Sequence, residues 1–317
     1  MNVWLDFLIT SLAFGATFVY GSTGEILTEK AGHLNLGIPG IMCMGGAGGC
    51  VVLNLIGKSN LPGFLIVLLG IMGALVFSML CGLLYSVLAV SFRANQNVTG
   101  LTLTTFGVGL SKVIVNKLNP NVYLIDPKKL YRWPFAGRSD GLQYFGVLFF
   151  LAMIIAILSS FVLFRTRTGL HLRAVGENPG TADAVGINVT RYKYVTTCIG
   201  SGIAGLGGFY YIIDYMASQE AYLSVEALGW LSIALVIFAL WRPHMTIIGS
   251  TVFGILFSCT SYLANVSWLK VTQATTPLLK MLPYVVTILV LIVSSIRNKR
   301  ENQPPASLGL SYFREER

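Results

Sequence analysis

The stretch Asn95-Gln96-Asn97-Val98-Thr99-Gly100, continuing to Thr102, Thr104 and Thr105, sets amides and hydroxyls at the start of a strongly apolar segment. Such groups hydrogen-bond without carrying charge, so they can hold a neutral polar solute at a smaller desolvation cost than an ion would impose. On that ground Asn95, Gln96, Asn97, Thr99 and Thr102 are candidates for a solute pathway. The competing reading is local: the same residue types cap helix starts, and threonines bond to their own backbone.

Nothing in the chain is arranged for catalysis. The three histidines (His33, His171, His244) stand apart, with no HExxH pattern and no clustered carboxylates. Gly57-Lys58-Ser59 ends like a phosphate-binding loop, but Val52 stands where its first glycine belongs, and an apolar segment rather than a strand precedes it. The five cysteines, Cys43, Cys50, Cys81, Cys198 and Cys259, lie in apolar runs without metal-ligand spacing and read as small buried hydrophobes. No catalytic residue, metal site, cofactor or ATP site is expected.

The elements that must position these residues are set by composition. Of 317 residues, 54% are hydrophobic and only 11% charged, which excludes a soluble globule. Apolar runs fall near 4–21, 38–57, 62–91, 98–116, 143–164, 196–213, 229–240, 244–264 and 281–296. Several reach the roughly 20 residues a helix needs to cross the hydrocarbon core. The 62–91 run is long for one straight span and 229–240 is short, which predicts tilt, a break or a re-entrant piece. The fold class is all-α: a polytopic transmembrane bundle of about 8–10 spans, one domain over 1–300, with a mobile tail over 301–317. The first run lacks a basic residue ahead of it and contains Asp6, so it reads as a retained span rather than a signal peptide.

Small residues recur within the spans: Gly45-Gly46-Ala47-Gly48-Gly49, the glycine-rich 200–208, and Ser250 with Gly254. They predict close helix approach, with sliding surfaces as the alternative. No clear ion pair stands at membrane depth; Asp214, Glu220 and Glu226 fall in an expected loop.

Between two greasy segments lies a polar island, Gly169 to Asn188. Asn178 can cap a helix, Pro179 suits its first position, and Gly186 suits its stop, giving about seven residues or roughly 10 Å. So short a helix is marginal alone and needs packing partners. Basic residues at Arg165, Arg167, Arg173, Arg191 and Lys193, and again from Arg297 to Arg317, place the loop 165–193 and the C-terminus inside. The loop 117–142 is equally basic, yet one span separates it from 165–193, so it is assigned outside. The basic residues form no aromatic-interleaved stripe, and nucleic acid is not an expected partner.

Three stretches carry a resemblance. Arg173-Ala174-Val175-Gly176-Glu177-Asn178-Pro179, continuing through Ala182-Asp183-Ala184-Val185-Gly186-Ile187-Asn188, closely resembles the cytoplasmic loop of ABC importer permeases. Gly24-Glu25, Glu29, Ala31-Gly32 and Asn35-Leu36-Gly37 are similar to the family's GE-x-x-x-E-x-AG-x-x-NLG signature. Arg93, Asn95-Gln96 and Gly100, then Trp241-Arg242-Pro243, follow in family order. The nearest branch is the sugar and nucleoside one, comprising ribose-type permeases and the basic-membrane-protein nucleoside systems. Many nucleoside-branch relatives carry Glu after the NLG segment, where this chain has Ile38-Pro39-Gly40, a departure that fits one half of an unequal permease pair.

The resemblance implies a multi-pass protein of the bacterial inner membrane. Its loop helix would dock on a separate ABC ATPase through Glu177, Asn178, Pro179, Ala182, Asp183 and Gly186. It further implies a second permease, forming a heterodimer with this one, and an extracytoplasmic substrate-binding protein. Nucleosides are the expected substrates, with a simple sugar such as ribose as the alternative. A stand-alone ion-driven carrier or channel for a small polar solute is the rival from another class.

Overall fold

The computed structural model describes residues 3–57, 59, 61–124, 145–263, 281–282, 284–286, 288–289, 292 and 303–313. Among them there are helices and no strand. In chain order they are α1 (Val3–Lys30), α2 (Ile38–Ile56), α3 (Gly63–Ser86), α4 (Gln96–Asn116), the single turn α5 (Pro120–Tyr123) and α6 (Val147–Arg165). There follow α7 (Arg167–Glu177), α8 (Pro179–Ala184), α9 (Val189–Tyr210), α10 (Val225–Phe238) and α11 (Met245–Leu263). Six segments are long and apolar enough to cross a membrane, and two shorter apolar helices, Val225–Phe238 and Met245–Cys259, add to them. The all-α polytopic bundle is as the composition requires.

One expectation is narrowed and one corrected. The long 62–91 run is one continuous helix, Gly63–Ser91, whose last turn, Val87–Ser91, widens to π geometry, so of the three alternatives a break does not occur. The polar island holds two helices rather than one, because Thr166 caps an additional helix, α7, by accepting from the Gly169 amide at 3.1 Å. The expected span at 281–296 and the basic residues Lys128, Lys129, Arg132 and Arg138 lie largely or wholly outside the described residues.

The inner helices are α1, α2 and α9, and glycine sets their separation. A Cβ on Gly208 would stand 2.0 Å from the Met42 carbonyl oxygen, and one on Gly45 would stand 2.4 Å from the Gly205 Cα. Ser250 packs its backbone on Gly15, and Gly254 packs on the Ser11 carbonyl. These faces are filled, which is the packing reading of the small-residue spacing. Cys43, Cys50 and Cys81 are buried among the helices.

One end of the bundle gathers the loop 31–37, the corner 92–95, α7, α8, the turn after α10 and residues 303–313. Lys30, Arg93, Arg165, Arg167, Arg173, Arg191 and Arg242 also lie at this end, whereas Lys117 closes α4 at the other.

Candidate functional site

The site is the end of the bundle that carries α7, α8 and residues 303–313, and its parts are fixed by short-range chemistry. Asn178 ends α7 and caps α8: its Oδ1 accepts from the Thr181 amide at 3.0 Å. Pro179 begins α8, where a missing N–H costs nothing. Gly186 terminates it with φ +86°, and the amides of Gly186 and Ile187 close back on the carbonyls of Asp183 (3.0 Å) and Ala182 (3.0 Å). That double closure is the left-handed glycine stop expected at a helix end.

The short helix has an inner and an outer side. Ala182 is buried with Val175 and Val189, so it faces its own chain. Glu177, Asn178, Thr181, Ala184 and Val185 are exposed, and Val185 is an apolar side chain 72% exposed. Asp183 and Pro179 are half-buried.

Behind α8, the signature residues of α1 build a buried polar frame. The Trp241 indole donates to Glu29 Oε2, and the Asn35 amide donates to Glu25 Oε1 at 3.2 Å. Both carboxylates are buried within a span. The four-residue spacing of Glu25 and Glu29 placed them on one helix face, and sequence reasoning overlooked them as intramembrane acids. Asp214, expected in a loop, instead lies buried in the π-helical end of α9. His33 Nδ1 lies 2.9 Å from Thr197 Oγ1, and burial together with the nearby Lys193 ammonium holds its imidazole well below the usual histidine range. Gly176 brings α7 against the end of α1: a Cβ there would stand 2.2 Å from the Lys30 carbonyl oxygen.

The pathway candidates from the first polar stretch sit at this same end. Asn95 Oδ1 accepts from the amides of Asn97 and Val98, capping α4. Gln96 accepts from the Leu34 amide at 2.8 Å and donates to the Leu310 carbonyl at 3.2 Å. Thr99 is buried, Asn97 is exposed, and Thr102 is exposed on the outward face of α4 with Thr105. The structure thus joins Asn95 and Gln96 to the end that carries the loop 31–37 and residues 303–313, and leaves Thr102 on a different surface.

The expected mobile tail is also revised. Ser307 donates from its amide (3.1 Å) and hydroxyl to the Gly176 carbonyl, and the Gly309 amide donates to the Gly32 carbonyl at 3.2 Å. Residues 303–313 therefore lie as a strap across the signature loop and α7. No local pattern in the sequence could announce partners so distant.

Two cavities flank the segment. An apolar cleft of about 970 Å³ runs between α6 and α9 toward Val185 and Ile187. A polar cavity of about 630 Å³ lies between Arg93, Lys193 and the loop after α8.

The described helices thus form an apolar multi-span bundle with the capped helix α8 exposed at one end. The chain belongs to the family of branched-chain amino acid transport system permease components, whose model matches residues 7–291. It is 31% identical to the nucleoside ABC transporter permease protein NupC of Lactococcus lactis, over 88% of this chain and 89% of that one. It is 30% identical to the guanosine ABC transporter permease protein NupQ of Bacillus subtilis, over 89% of each. To the putative glucose ABC transporter permease protein TsgC13 of Haloferax volcanii it is 30% identical, over 92% of each. The chain is an ABC-importer permease, a multi-pass membrane protein that works with an ATPase and a substrate-binding protein rather than an enzyme.

Proposed function

We propose that the chain forms part of the membrane pathway of a nucleoside importer. Two of the relatives above are permeases for nucleosides or guanosine, which favours this substrate class over a simple sugar; the glucose relative keeps the sugar as the second reading. The buried polar residues of the bundle are mostly hydroxyls bonded to their own helices, such as Ser22, Ser78 and Ser232, which suits passage of an uncharged solute. Thr102 and Thr105 stand on an outward face of α4, where a second, different permease would complete the pathway.

The observation that carries the coupling role is the exposed outer side of α8 beside Glu177 and Val185, held on a rigid frame. In this reading Glu177, Asn178, Pro179, Ala182, Asp183 and Gly186 shape the segment that an ATPase grips. Ala182 contributes from beneath, and the Thr181, Ala184 and Val185 side chains meet the partner. Closure of the ATPase dimer would then move α7 and α8, and through Gly176 and Gly32 the end of α1.

The test is Ala184→Trp, at an exposed position with ordinary helical geometry. Gly186→Trp is a poorer choice, since any side chain at φ +86° strains the backbone. The variant, present at wild-type levels, is expected to lose its co-purifying ATPase and the uptake of labelled guanosine. Retention of both would overturn the coupling assignment. Uptake of glucose but not nucleosides by the wild-type importer would transfer the substrate to the sugar class, and uptake by this chain alone in liposomes would indicate an autonomous carrier.

A further inference from the structure

The polar cavity beside α8 has a composition that none of the roles above uses. Three cations reach it from two directions: Arg93 from the corner after α3, and Arg191 and Lys193 from the first turns of α9. Among the described residues Asp183 is the one carboxylate on its wall, and it is engaged by the Tyr312 hydroxyl at 2.9 Å. His33 completes the floor and is held neutral by burial.

Lys193 is the informative member. It is only 3% exposed, it lines the cavity, and among the described residues it has neither a carboxylate partner nor a hydrogen-bond acceptor. Its side chain lines the cavity with no counter-charge bonded to it among the described residues, so an anion in the cavity would supply a partner. Val189 and Thr190 at the start of α9 line the same wall, and although Asn188 Oδ1 already accepts from the Arg191 amide, the helix N-terminus adds positive potential where Lys193 and Arg191 supply charge. Arg93 adopts the left-handed conformation at φ 55° with its guanidinium 4.7 Å from the Phe313 ring centre, so the strap holds this cation at the rim.

We propose that this cavity is a cytoplasmic binding site for a phosphate-bearing anion, held by Lys193, Arg191 and Arg93. Phosphate suits the donor set because its several oxygens can take an ammonium, two guanidinium forks and helix amides together. The cavity of about 630 Å³ falls within the range of small-molecule sites and leaves room for an organic group beside the phosphate. A ligand there bridges the α3 corner, the strap and the loop leaving α8. Its occupancy therefore sets how freely the coupling segment moves, which makes the site regulatory. The proposal stands apart from the nucleoside reading, since it rests on the wall of the cavity and not on the transported solute.

The source of the phosphate is either a soluble ester or a lipid headgroup, and one experiment separates them. The full-length permease, freed of its nucleotide-binding ATPase, is placed in nanodiscs of phosphatidylcholine alone or with phosphatidylglycerol. Each preparation is titrated calorimetrically with adenosine monophosphate, inorganic phosphate and adenosine at fixed ionic strength, and bound lipid is read by native mass spectrometry. Saturable binding of adenosine monophosphate in the neutral discs, weakened tenfold or more in both Lys193→Gln and Arg191→Gln, supports a soluble ester. Phosphatidylglycerol adducts that both variants lose, without a response to adenosine monophosphate, support the headgroup. Arg191→Gln lies at an exposed position and carries the test if Lys193→Gln does not fold. Wild-type and variant proteins that behave alike toward every phosphate probe overturn the proposal.

Discussion

The Tyr312 hydroxyl donates to Asp183 Oδ2 at 2.9 Å, tying the strap to the short helix α8 129 positions earlier. The bond closes a ring of contacts. The Ala306 amide lies 3.4 Å from Glu177 Oε2, Ser307 holds Gly176, and Gln96 holds Leu310. Any force applied to α8 is therefore shared with α4 and α1 through the strap as well as through the covalent chain.

Truncation before Pro304 should loosen the coupling segment without unfolding the bundle. Hydrogen exchange at amides 176–187 is the measurement, with faster exchange expected there and unchanged exchange in α2 and α9. Tyr312→Phe removes one hydrogen bond, worth about 1 kcal/mol, so local exchange should rise by roughly fivefold.

Glycines at helix crossings give a paired prediction. Gly208→Ala drives a methyl to 2.0 Å from a backbone oxygen of α2, where no side chain can move aside. It should cost about 3 kcal/mol or more and sharply reduce the yield of monodisperse protein. Gly109→Ala, on α4 with nothing within 4 Å of the new methyl, should instead stabilise by about 0.5–1 kcal/mol through helix propensity. Melting in detergent checks both, and equal effects would refute the packing account.

These contrasts mark how far the sequence could be read. Among the described residues hydropathy located six full-length spans, fewer than the expected 8–10, and two shorter apolar helices, because each helix satisfies its own backbone and its length is set by the bilayer. Asn178, Pro179 and Gly186 were legible because caps act within four residues, and the structure places each in its expected cap position. Thr166 carried the same kind of signal for α7, yet it adjoins an apolar span and was absorbed into the loop. The strap was hidden, since Ser307 and Tyr312 meet partners 131 and 129 positions away. Gln96 looked like a solute ligand for the same reason: its polar group is visible in sequence, but its bonds to Leu34 and Leu310 are not.

Trp241 should be hard to replace. Its indole supplies the donor for Glu29, which is buried in α1, and its own backbone is left-handed at φ 53°. Trp241→Phe keeps the ring packing but orphans a buried carboxylate, at a cost of about 1–3 kcal/mol. Glu29→Gln in the same background should recover part of the loss, because a neutral amide is cheaper to bury than an unpaired charge. Without that recovery, packing rather than the hydrogen bond would explain the Trp241 effect.

His33 provides a pH dependence with a definite sign. Its folded pKa is held well below the unfolded value of 6.5, chiefly by burial and secondarily by Lys193. The unfolded chain therefore binds the proton more readily, and acid favours unfolding. The contribution is fully present above pH 6.5 and declines as pH falls from there toward the folded pKa. Melting of the wild type between pH 8 and pH 5 should drop over the lower half of that range. His33→Gln keeps a polar group within reach of Thr197 but cannot take up the proton, so its curve should be flatter below pH 6.5, even if lower throughout. Parallel curves for the two proteins would show that another group governs the acid limb.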